Sequence, residues 1–441
     1  MNKVLMVSLG CAKNLVNSEQ MLYLLKQAGY EIVNEPGEAD VAVVNTCGFI
    51  DSAVSEAIDK ILELVDYKRY AGLKSIVVTG CMTERFREQV LNEMPEIDGI
   101  LGTGRYSDIV QAVEESLAGE KPEKFGNIDA PVDEVERIVS TPTHYAYIKI
   151  AEGCDNRCSY CVIPSLRGKF RSRPMENILR EAEELAKSGV KELIVVAQDI
   201  TRYGTDIDGR RHLAELTRRI CRIDGIRWVR LHYLYPDEIT DELIETIRDE
   251  EKVVKYLDIP IQHINDGILK AMNRRGSGAE IRALFKKLKA EIPSLVLRTS
   301  LICGLPGEGE AEFEELCDFL REERLPRVGA FSFSPQEGTP AASMPGQADS
   351  DTVKKRVQLI IDLQSDIMDK YNESWLGRET EVICDGTDPE TGMYVGRTYA
   401  DSPDIDGRVY FTAQESVSPG DMLMVKIEDV MDGDLTGSAV L

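Results

Sequence analysis

Residues 153–161 read GCDNRCSYC and place three cysteines in a C-x3-C-x2-C pattern. They come soon after the apolar run 145–150, which we predict to be a strand. Three thiolates so close together can fold around one iron–sulfur cubane, since cysteine thiolates are the usual ligands of [4Fe–4S] clusters. Three local ligands for four irons leave one iron for a group that is not protein. A zinc knuckle or a ferredoxin-type carrier would need a fourth ligand, and no nearby His or Cys supplies one.

The region around these cysteines has the pattern of a β/α repeat. Predicted helices, for example 175–188 and 309–323, separate its apolar runs, and a helix at 350–371 ends it. The predicted strands are 145–150, 192–197, 226–231, 256–259, 295–302 and 328–333. Six such units predict a partial (β/α)6 barrel of the TIM type, in which catalytic groups lie at the carboxyl ends of the strands.

The chain before this region has a second βα pattern. Its predicted strands are 3–8, 41–45 and 75–79, and its predicted helices are 17–28 and 53–65. Short runs of Val, Ile and Leu that alternate with helices indicate a parallel sheet. Residues 119–143 lack periodicity and contain three prolines, so we predict a linker there.

The end of the chain, residues 373–441, changes to short Val, Ile and Tyr strands separated by Gly, Asp and Pro turns. This pattern is typical of a small antiparallel β-barrel. The predicted fold class is therefore α/β. An amino-terminal parallel domain at 1–118 and a central barrel at 140–371 precede the carboxy-terminal barrel at 373–441.

Three more cysteines, Cys11, Cys47 and Cys81, each come just after one of the amino-terminal strands. Parallel strands end at one edge of a sheet, so thiols that are distant in sequence should meet there. Each cysteine is also close to a helix start, whose free N–H groups favour thiolates. A single one could be an ordinary buried side chain, but three at equivalent positions predict a second cluster. The cysteines without such spacing, which we expect to be buried small side chains, are Cys221, Cys303, Cys317 and Cys384.

Composition narrows the class of protein. The 441 residues include 77 acidic and 52 basic side chains, a net charge of −25 that argues against unspecific binding to nucleic acid. No apolar run approaches the roughly 20 residues of a membrane span. We read no secretory signal and therefore expect a cytoplasmic protein. In a reducing compartment, patterned cysteines bind metal or do redox work more often than they form disulfides.

With its C-x3-C-x2-C motif at the end of the first barrel strand, and with Tyr160 before the last cysteine, the chain resembles the radical S-adenosylmethionine superfamily. The resemblance implies that the open iron binds the amino and carboxylate groups of S-adenosylmethionine. It further implies that cleavage of this molecule gives a 5′-deoxyadenosyl radical that abstracts hydrogen. Tyr160 would then contact the adenine.

Together with the dispersed cysteines, the chain resembles the methylthiotransferases over essentially its whole length. The stretches SLGCAKNLVNSE at 8–19 and NTCGFI at 45–50 match that family's amino-terminal domain, and the last barrel is similar to the TRAM domain. The resemblance implies that one S-adenosylmethionine methylates sulfide carried by the second cluster and that another is cleaved at the first. Two [4Fe–4S] clusters, an electron donor such as flavodoxin or ferredoxin, and a sulfur donor follow from it. The metal ligands would be Cys11, Cys47, Cys81, Cys154, Cys158 and Cys161.

Polar residues at the ends of predicted barrel strands are candidates for binding S-adenosylmethionine. Gln198 and Gln262 follow such strands, and Arg298 lies within one. An arginine inside a barrel is costly unless it meets an anion, so Arg298 could contact a substrate or cofactor carboxylate. Each of these residues could equally be an ordinary strand-end residue. The basic run 167–173 (RGKFRSR) is also matched in the family, with a solvated turn as the alternative.

The charge of the carboxy-terminal barrel indicates which of the family's two substrate classes this chain modifies. Most methylthiotransferases modify an adenosine of transfer RNA, whereas the RimO branch modifies an aspartate of the small-subunit ribosomal protein twelve. Residues 373–441 carry 15 acidic and 4 basic side chains, a net charge of −11 that would repel RNA and attract a basic protein. We predict a docking surface that includes Asp401, Asp404 and Asp406.

Three stretches also resemble the ribosomal-protein branch: LHYLYP at 231–236, RVGAFSFSPQEGTP at 327–340 and ADSPDIDG at 400–407. We therefore predict methylthio insertion at the β-carbon of the target aspartate. Transfer RNA is the alternative substrate. A non-catalytic cluster scaffold or electron carrier is the alternative from another class, but it gives no reason for a barrel around the first cluster.

Overall fold

Three large β-sheets, two open and one closed, organise residues 2–440, the part of the chain that this computed structural model describes. The first belongs to the amino-terminal region and has six parallel strands. They are β1 (Lys3–Ser8), β2 (Glu31–Val33), β3 (Val41–Thr46), β4 (Ser75–Gly80), β5 (Gly99–Leu101) and β6 (Glu123–Lys124). The helices are α1 (Ala12–Gln27), α2 (Asp51–Tyr70), α3 (Cys81–Arg85), α4 (Arg87–Glu93) and α5 (Ile109–Leu117).

The order across this sheet is β2-β1-β3-β4-β5-β6. The three predicted strands are confirmed as β1, β3 and β4. All residues of β3 and β4 are buried, because helices cover both faces of the sheet, and this explains their continuous apolar runs. The sequence did not predict β2, β5 and β6, which have only two or three residues each.

Residues 119–143 contain β6 and otherwise no helix or strand, as expected of a linker. They are nevertheless tied to both neighbouring regions. Arg137 is 4% exposed in its side chain and pairs with Glu19 of α1 and, at 2.8 Å, with Glu181 of the central region. Glu134 pairs with Arg173 at 2.6 Å. The segment therefore fixes the amino-terminal sheet against the central one.

The central sheet is an open barrel of six parallel strands in the order β14-β13-β12-β11-β10-β7. These strands are β7 (Tyr145–Lys149), β10 (Glu192–Val196), β11 (Trp228–Leu231), β12 (Val253–Asp258), β13 (Val296–Cys303) and β14 (Arg327–Ser332). A small antiparallel pair, β8 (Ala151–Glu152) and β9 (Arg171–Ser172), flanks the central cysteine loop. The helices are α6 (Ile163–Arg167), α7 (Met175–Lys187), α8 (Thr205–Asp208), α9 (Leu213–Cys221), α10 (Asp241–Asp249), α11 (Asp266–Ala271), α12 (Gly278–Glu291), α13 (Glu310–Glu323) and α14 (Ser350–Glu373).

All six predicted barrel strands are confirmed, but β12 begins three residues before its predicted start. Lys255 interrupts its apolar run in the sequence. In the structure the Lys255 ammonium donates to the carbonyl oxygen of Glu250 at 2.9 Å, so the lysine fits in the strand. The single polar residue Lys255 therefore made the first half of β12 unrecognisable as a strand in the sequence.

Two neighbouring regions cover the inner face of the open barrel. Val16 of α1 packs against Tyr147, Ile194 and other inward-facing side chains. On the other side, Trp228 and Tyr256 share a hydrophobic cluster with the core of the carboxy-terminal barrel. The inner face is therefore closed by protein except near the ends of the strands, where the cysteine loops lie.

The carboxy-terminal sheet is a closed barrel of five strands in the order β15-β16-β17-β19-β18. They are β15 (Glu379–Thr387), β16 (Tyr394–Arg397), β17 (Val409–Thr412), β18 (Met422–Met431) and β19 (Asp434–Ala439). The expected antiparallel pairing holds for every pair except β17 with β19, which is parallel. Strand directions cannot alternate all the way around a ring with an odd number of strands, so one parallel pair is required.

The prediction that Asp401 and Asp406 form a docking surface is wrong. Asp401 is 3% exposed and pairs with Arg327 of β14 at 2.7 Å. Asp406 accepts a hydrogen bond from the hydroxyl of Tyr256 at 2.7 Å. Both carboxylates join the last barrel to the central one, and of the three predicted residues only Asp404 is exposed.

Candidate functional site

Three loops at one edge of the amino-terminal sheet carry Cys11, Cys47 and Cys81. Cys11 caps the amino end of α1, Cys47 directly follows β3, and Cys81 is the first residue of α3. Because β1, β3 and β4 are parallel neighbours, their carboxyl ends lie side by side. Cys11 is exposed, Cys47 half-buried and Cys81 buried, so this group opens to solvent on the Cys11 side.

Two glycines let these loops come together. Gly10 has a φ of +88°, and a Cβ there would lie 2.8 Å from the Cβ of Cys47. Gly80 has a φ of +106°, and a Cβ there would lie 2.4 Å from the carbonyl oxygen of Thr46. A side chain at either position would strain the backbone and push the loops apart. The glycine before the cysteine is therefore part of the site in both loops.

The charges around the three thiols determine the direction in which the pKa of each one shifts. Burial, with the nearby Cys81 and Cys11, raises the pKa of Cys47 to about 11. Burial also raises the pKa of Cys81, although the charge of Arg167 opposes it. Cys11 is exposed as a residue, but the surrounding protein desolvates its thiol. The charges of Lys13 and Arg167 and the N–H groups of Asn14 and Lys13 outweigh this desolvation and lower the pKa of Cys11. Metal ligation by such thiols releases their protons.

The guanidinium of Arg167 joins this group to the central region. Its Nε donates to Sγ of Cys81 at 3.3 Å, and its Nη1 donates to Asn17 at 3.0 Å and to Glu152 at 3.3 Å. Its Nη2 donates to Asn14 of α1. Arg167 ends helix α6, the first helix after the central cysteines. One buried side chain thus contacts both halves of the site.

The interpretation of residues 167–173 as a solvated turn is wrong. Arg167, Phe170 and Arg173 are 3%, 4% and 4% exposed. Arg173 pairs with Glu134 and Glu181, at 2.6 Å each. The similarity of this run to a known family was the one sequence signal that it is more than a surface turn.

Cys154, Cys158 and Cys161 lie in the loop between β8 and α6. The loop is folded back on itself: the N–H of Cys154 donates to the carbonyl of Gly168 at 3.1 Å, and the N–H of Cys161 donates to that of Cys158 at 3.0 Å. Burial, with nearby Asp199 and Cys158, raises the pKa of Cys154 to about 11. Burial and the proximity of Cys158 and Cys154 raise the pKa of Cys161 as well. The structure therefore brings this triplet together, as predicted.

Arg274 is the cation beside the central triplet. It is 9% exposed, and its Nη1 donates to the hydroxyl of Tyr160 at 3.2 Å and lies 3.8 Å from Sγ of Cys158. The ring of Tyr160 packs against a hydrophobic cluster that includes Met272 and Leu305. Contact of Tyr160 with adenine stays a prediction.

Of the remaining predicted cofactor-binding residues, Gln198 and Gln262 follow barrel strands and Arg298 lies within β13. The amide Nε2 of Gln198 donates to Glu152 at 2.8 Å, while its Oε1 is buried without a hydrogen-bond partner in residues 2–440. Gln262 has a φ of +71° and is bridged to Leu301 of β13. Arg298 already meets an anion, since its Nη1 lies 2.7 Å from Oδ1 of Asp258.

Sequence reasoning missed four polar residues of the site, of which three lie close to the predicted ligands along the chain. Lys13 follows Cys11 by two residues, Glu152 precedes Cys154 by two, and Asn14 is in the first turn of α1. Arg274 is far from the central cysteines in sequence. The other four cysteines, Cys221, Cys303, Cys317 and Cys384, are buried as expected.

Within residues 2–440 no three His, Cys, Asp or Glu side chains form a site for a single metal ion. The donor set nevertheless fits iron–sulfur clusters. Each group offers three thiols, and each has an arginine beside a thiol, Arg167 at Cys81 and Arg274 at Cys158. Outer cations of this kind orient ligands and tune a metal centre. No helix in the described part of the chain has the length and apolar character of a membrane span.

Three known protein families match the chain, and each match lies in the region of one of the three large sheets. Residues 148–320 match the radical SAM superfamily, residues 376–440 match the TRAM domain, and residues 3–102 match the uncharacterized protein family UPF0004. Among solved structures, TsrM, a radical S-adenosylmethionine methyltransferase from Kitasatospora setae, has a TM-score of 0.57 at 14% identity, covering 75% of this chain and 73% of its own. This likeness concerns the fold.

Relatives that span the whole chain are much more similar in sequence. The ribosomal protein uS12 methylthiotransferase RimO of Thermoanaerobacter sp. (strain X514) is 45% identical over 438 residues, which are 99% of this chain and 100% of that protein. The protein of the same name from Acetivibrio thermocellus is 47% identical over an alignment 446 residues long. This alignment covers 99% of this chain and 98% of that protein.

Proposed function

Because the chain belongs to the RimO family of radical S-adenosylmethionine methylthiotransferases, we propose that it inserts a methylthio group at the β-carbon of an aspartate in ribosomal protein uS12. The observation that carries this proposal is the full-length identity to relatives named for that reaction. Transfer RNA is not favoured as the substrate, since these relatives are named for a ribosomal protein.

We further propose two [4Fe–4S] clusters, one held by Cys11, Cys47 and Cys81 and the other by the triplet in the loop after β8. When bound, such clusters supply the electron that cleaves S-adenosylmethionine and an iron site for sulfur. The protein's own contribution is to hold both sites in one rigid arrangement. Arg167 supports this proposal because it bonds to Cys81 and, through Glu152, reaches the central loop.

For S-adenosylmethionine we propose Tyr160, Gln198, Gln262 and Arg298 as binding residues. The buried, unpartnered Oε1 of Gln198 supports the assignment, since such an acceptor is costly unless a ligand donates to it. Arg298 is bound to Asp258, so it would reach a ligand only through its other N–H groups.

For recognition of uS12 we propose the acidic hairpin, defined as Glu428 and Asp429 of β18 and Asp432 of the following turn. All three are exposed. Met424 and Met431 of the same strand are 43% and 59% exposed and offer apolar contact. An acidic surface would attract a basic ribosomal protein and fix its orientation.

Such an enzyme needs a separate electron donor, for which we propose a flavodoxin or ferredoxin, and a sulfur donor. We propose that an enzyme with a ribosomal protein as its substrate acts in the cytoplasm. We also propose that its domains are 1–118, 140–371 and 373–441. The segment between the first two domains connects them through its ion pairs with both.

The experiment that tests this function is anaerobic reconstitution followed by mass analysis of uS12 and of transfer RNA. We expect a methylthio group on one aspartate of uS12 and none on RNA. A modified adenosine together with unmodified uS12 would contradict the proposal.

A further inference from the structure

Lys13 lies between the two halves of the site, and its charge is one of the effects that lower the pKa of Cys11. It is in the first turn of α1, two residues after Cys11, and is 8% exposed. Its ammonium lies 3.4 Å from the centroid of the Tyr233 ring, just beyond the end of β11. The amino-terminal region thus extends a positive charge into the open end of the central barrel.

This ammonium has no carboxylate partner within ion-pair distance in residues 2–440. The acidic groups around it are the hydroxyl of Tyr233, the thiol of Cys11 and the carboxylate of Asp258, whose oxygens are both in use. Oδ1 of Asp258 accepts from Arg298 at 2.7 Å, and Oδ2 accepts from the N–H of Tyr233 at 3.3 Å. A nearly buried ammonium is costly unless an anion lies close to it. Because the Cys11 thiol is a proposed cluster ligand and Asp258 is occupied, an anion from outside the chain would complete the surroundings of Lys13.

The surroundings of Lys13 are positive as well. Only Nη1 of Arg298 bonds to protein in the described chain, which leaves its other N–H groups available. Burial, with the charges of Arg230, Arg298 and Lys13, lowers the pKa of His232 well below its ordinary value. Arg230 is paired with Glu192 and Arg298 with Asp258, at 2.7 Å each, whereas Lys13 has no carboxylate at ion-pair distance among the described residues. An anion that enters here would meet Lys13, with the charge of Arg298 also acting on this region.

We propose that Lys13 forms a binding site for the carboxylate of the target aspartate. The inference rests on the proposed function. In that reaction the carboxylate is bonded directly to the β-carbon that receives sulfur, so it must lie close to the sulfur-carrying cysteines. Lys13, two residues from Cys11, has this position. Held by a carboxylate-specific contact, the β-carbon faces the space between the two cysteine groups.

The site also explains selectivity at the level of one side chain. A buried ammonium pairs with a carboxylate far better than with a carboxamide, because a hydrogen bond between charged groups is about twice as strong as a neutral one. An asparagine at the target position would leave Lys13 without its counter-ion. The enzyme should therefore reject that protein even though its shape is almost the same.

The test compares binding of uS12 with binding of uS12 whose target aspartate is changed to asparagine. The reconstituted wild-type enzyme should bind the aspartate form about tenfold more tightly, the effect of one charged hydrogen bond. Lys13→Met should remove this preference, and Lys13→Arg should keep part of it. Lys26→Met, at an exposed position of the same helix, is the matched control and should behave as wild type.

The affinity for S-adenosylmethionine, measured in the same variants, identifies the source of the carboxylate. It should be unchanged in Lys13→Met. If that affinity falls while the preference for aspartate persists, Lys13 serves the cofactor and the inference is overturned. A retained preference with unchanged cofactor binding overturns it too. If the wild-type enzyme places no methylthio group on uS12, the proposed function itself fails and the inference falls with it.

Discussion

Nε of Arg167 lies 3.3 Å from Sγ of Cys81, although Arg167 belongs to the central region and Cys81 to the amino-terminal one. The contact joins the helix after the central cysteines to the start of α3. A positive charge beside a ligating sulfur stabilises the more negative, reduced form of an iron–sulfur cluster and so raises its reduction potential. Arg167 is therefore a positioning residue with an electrostatic effect that can be measured.

We expect Arg167→Met to lower the potential of the cluster at Cys11, Cys47 and Cys81 by about 60 mV, which is tenfold for one electron. Arg167→Lys should shift it less, since the charge remains. The measurement is a redox titration followed by electron paramagnetic resonance, in a background where the central cysteines are alanine. The exposed Arg180→Met is the matched control. Equal potentials in Arg167→Met and wild type would show that the contact is structural only.

Cysteine replacements should separate the two clusters. Wild-type protein should hold about eight irons per chain. Replacing Cys154, Cys158 and Cys161 by Ala should halve the iron content and abolish cleavage of S-adenosylmethionine. Iron analysis and cleavage assays check this result, and a variant that keeps full iron would refute the ligand assignment.

Replacing Cys11, Cys47 and Cys81 by Ala should also halve the iron content, but cleavage of S-adenosylmethionine should persist. No methylthio product should form, because the sulfur-carrying site is lost. Mass analysis of uS12 provides the measurement. Methylthio transfer by this variant would show that the second site has another role.

Charge reversal of the acidic hairpin should weaken docking of uS12. Changing Glu428, Asp429 and Asp432 to Lys should raise Kd several-fold at low salt. The difference should shrink as the Debye length falls from about 10 Å at 0.1 M salt to about 3 Å at 1 M. The control reverses three acidic residues of α2 instead, Glu56, Asp59 and Glu63, which are also exposed. An equal loss in both variants would indicate a general charge effect rather than a docking surface.

Asp401 should behave as a structural residue. Asp401→Ala removes the partner of the buried Arg327 and should cost about 3–5 kcal/mol of unfolding free energy, as for other broken buried pairs. The exposed Asp432→Ala should stay within about 0.5 kcal/mol of wild type. Denaturant unfolding of the two variants gives the comparison, and similar values would contradict the role assigned to Asp401.

The main strands were predictable because their residues are buried on both faces. The unbroken run Val41–Thr46 needs no tertiary information to be identified as a strand of a parallel sheet. The positions of Cys11, Cys47 and Cys81 were predictable for a related reason, since strand ends fix where each loop begins. Ligation by these cysteines and by the central three stays a prediction. Lys255 shows the limit of this reasoning, because one polar residue concealed the beginning of β12.

Other parts of the site depend on contacts between distant segments. Arg167 and Asn14 are 153 residues apart in the chain, so their hydrogen bond has no local signature. Composition also misled in one respect. The charge of the last barrel indicated a basic partner, but a count of acidic residues cannot show that Asp401 is buried against Arg327.

The ion pairs between the last two sheets also limit how this enzyme can be recombined. Glu192 of β10 holds Arg397 of the last barrel at 2.7 Å, and neither side chain is more than 4% exposed. A chimera that receives its carboxy-terminal barrel from another enzyme would bury Glu192 and Arg327 without matching charges. Grafts that exchange substrate specificity should therefore transfer the paired residues on both sides of the interface as a set, because the carboxy-terminal barrel depends on its partners in the central barrel.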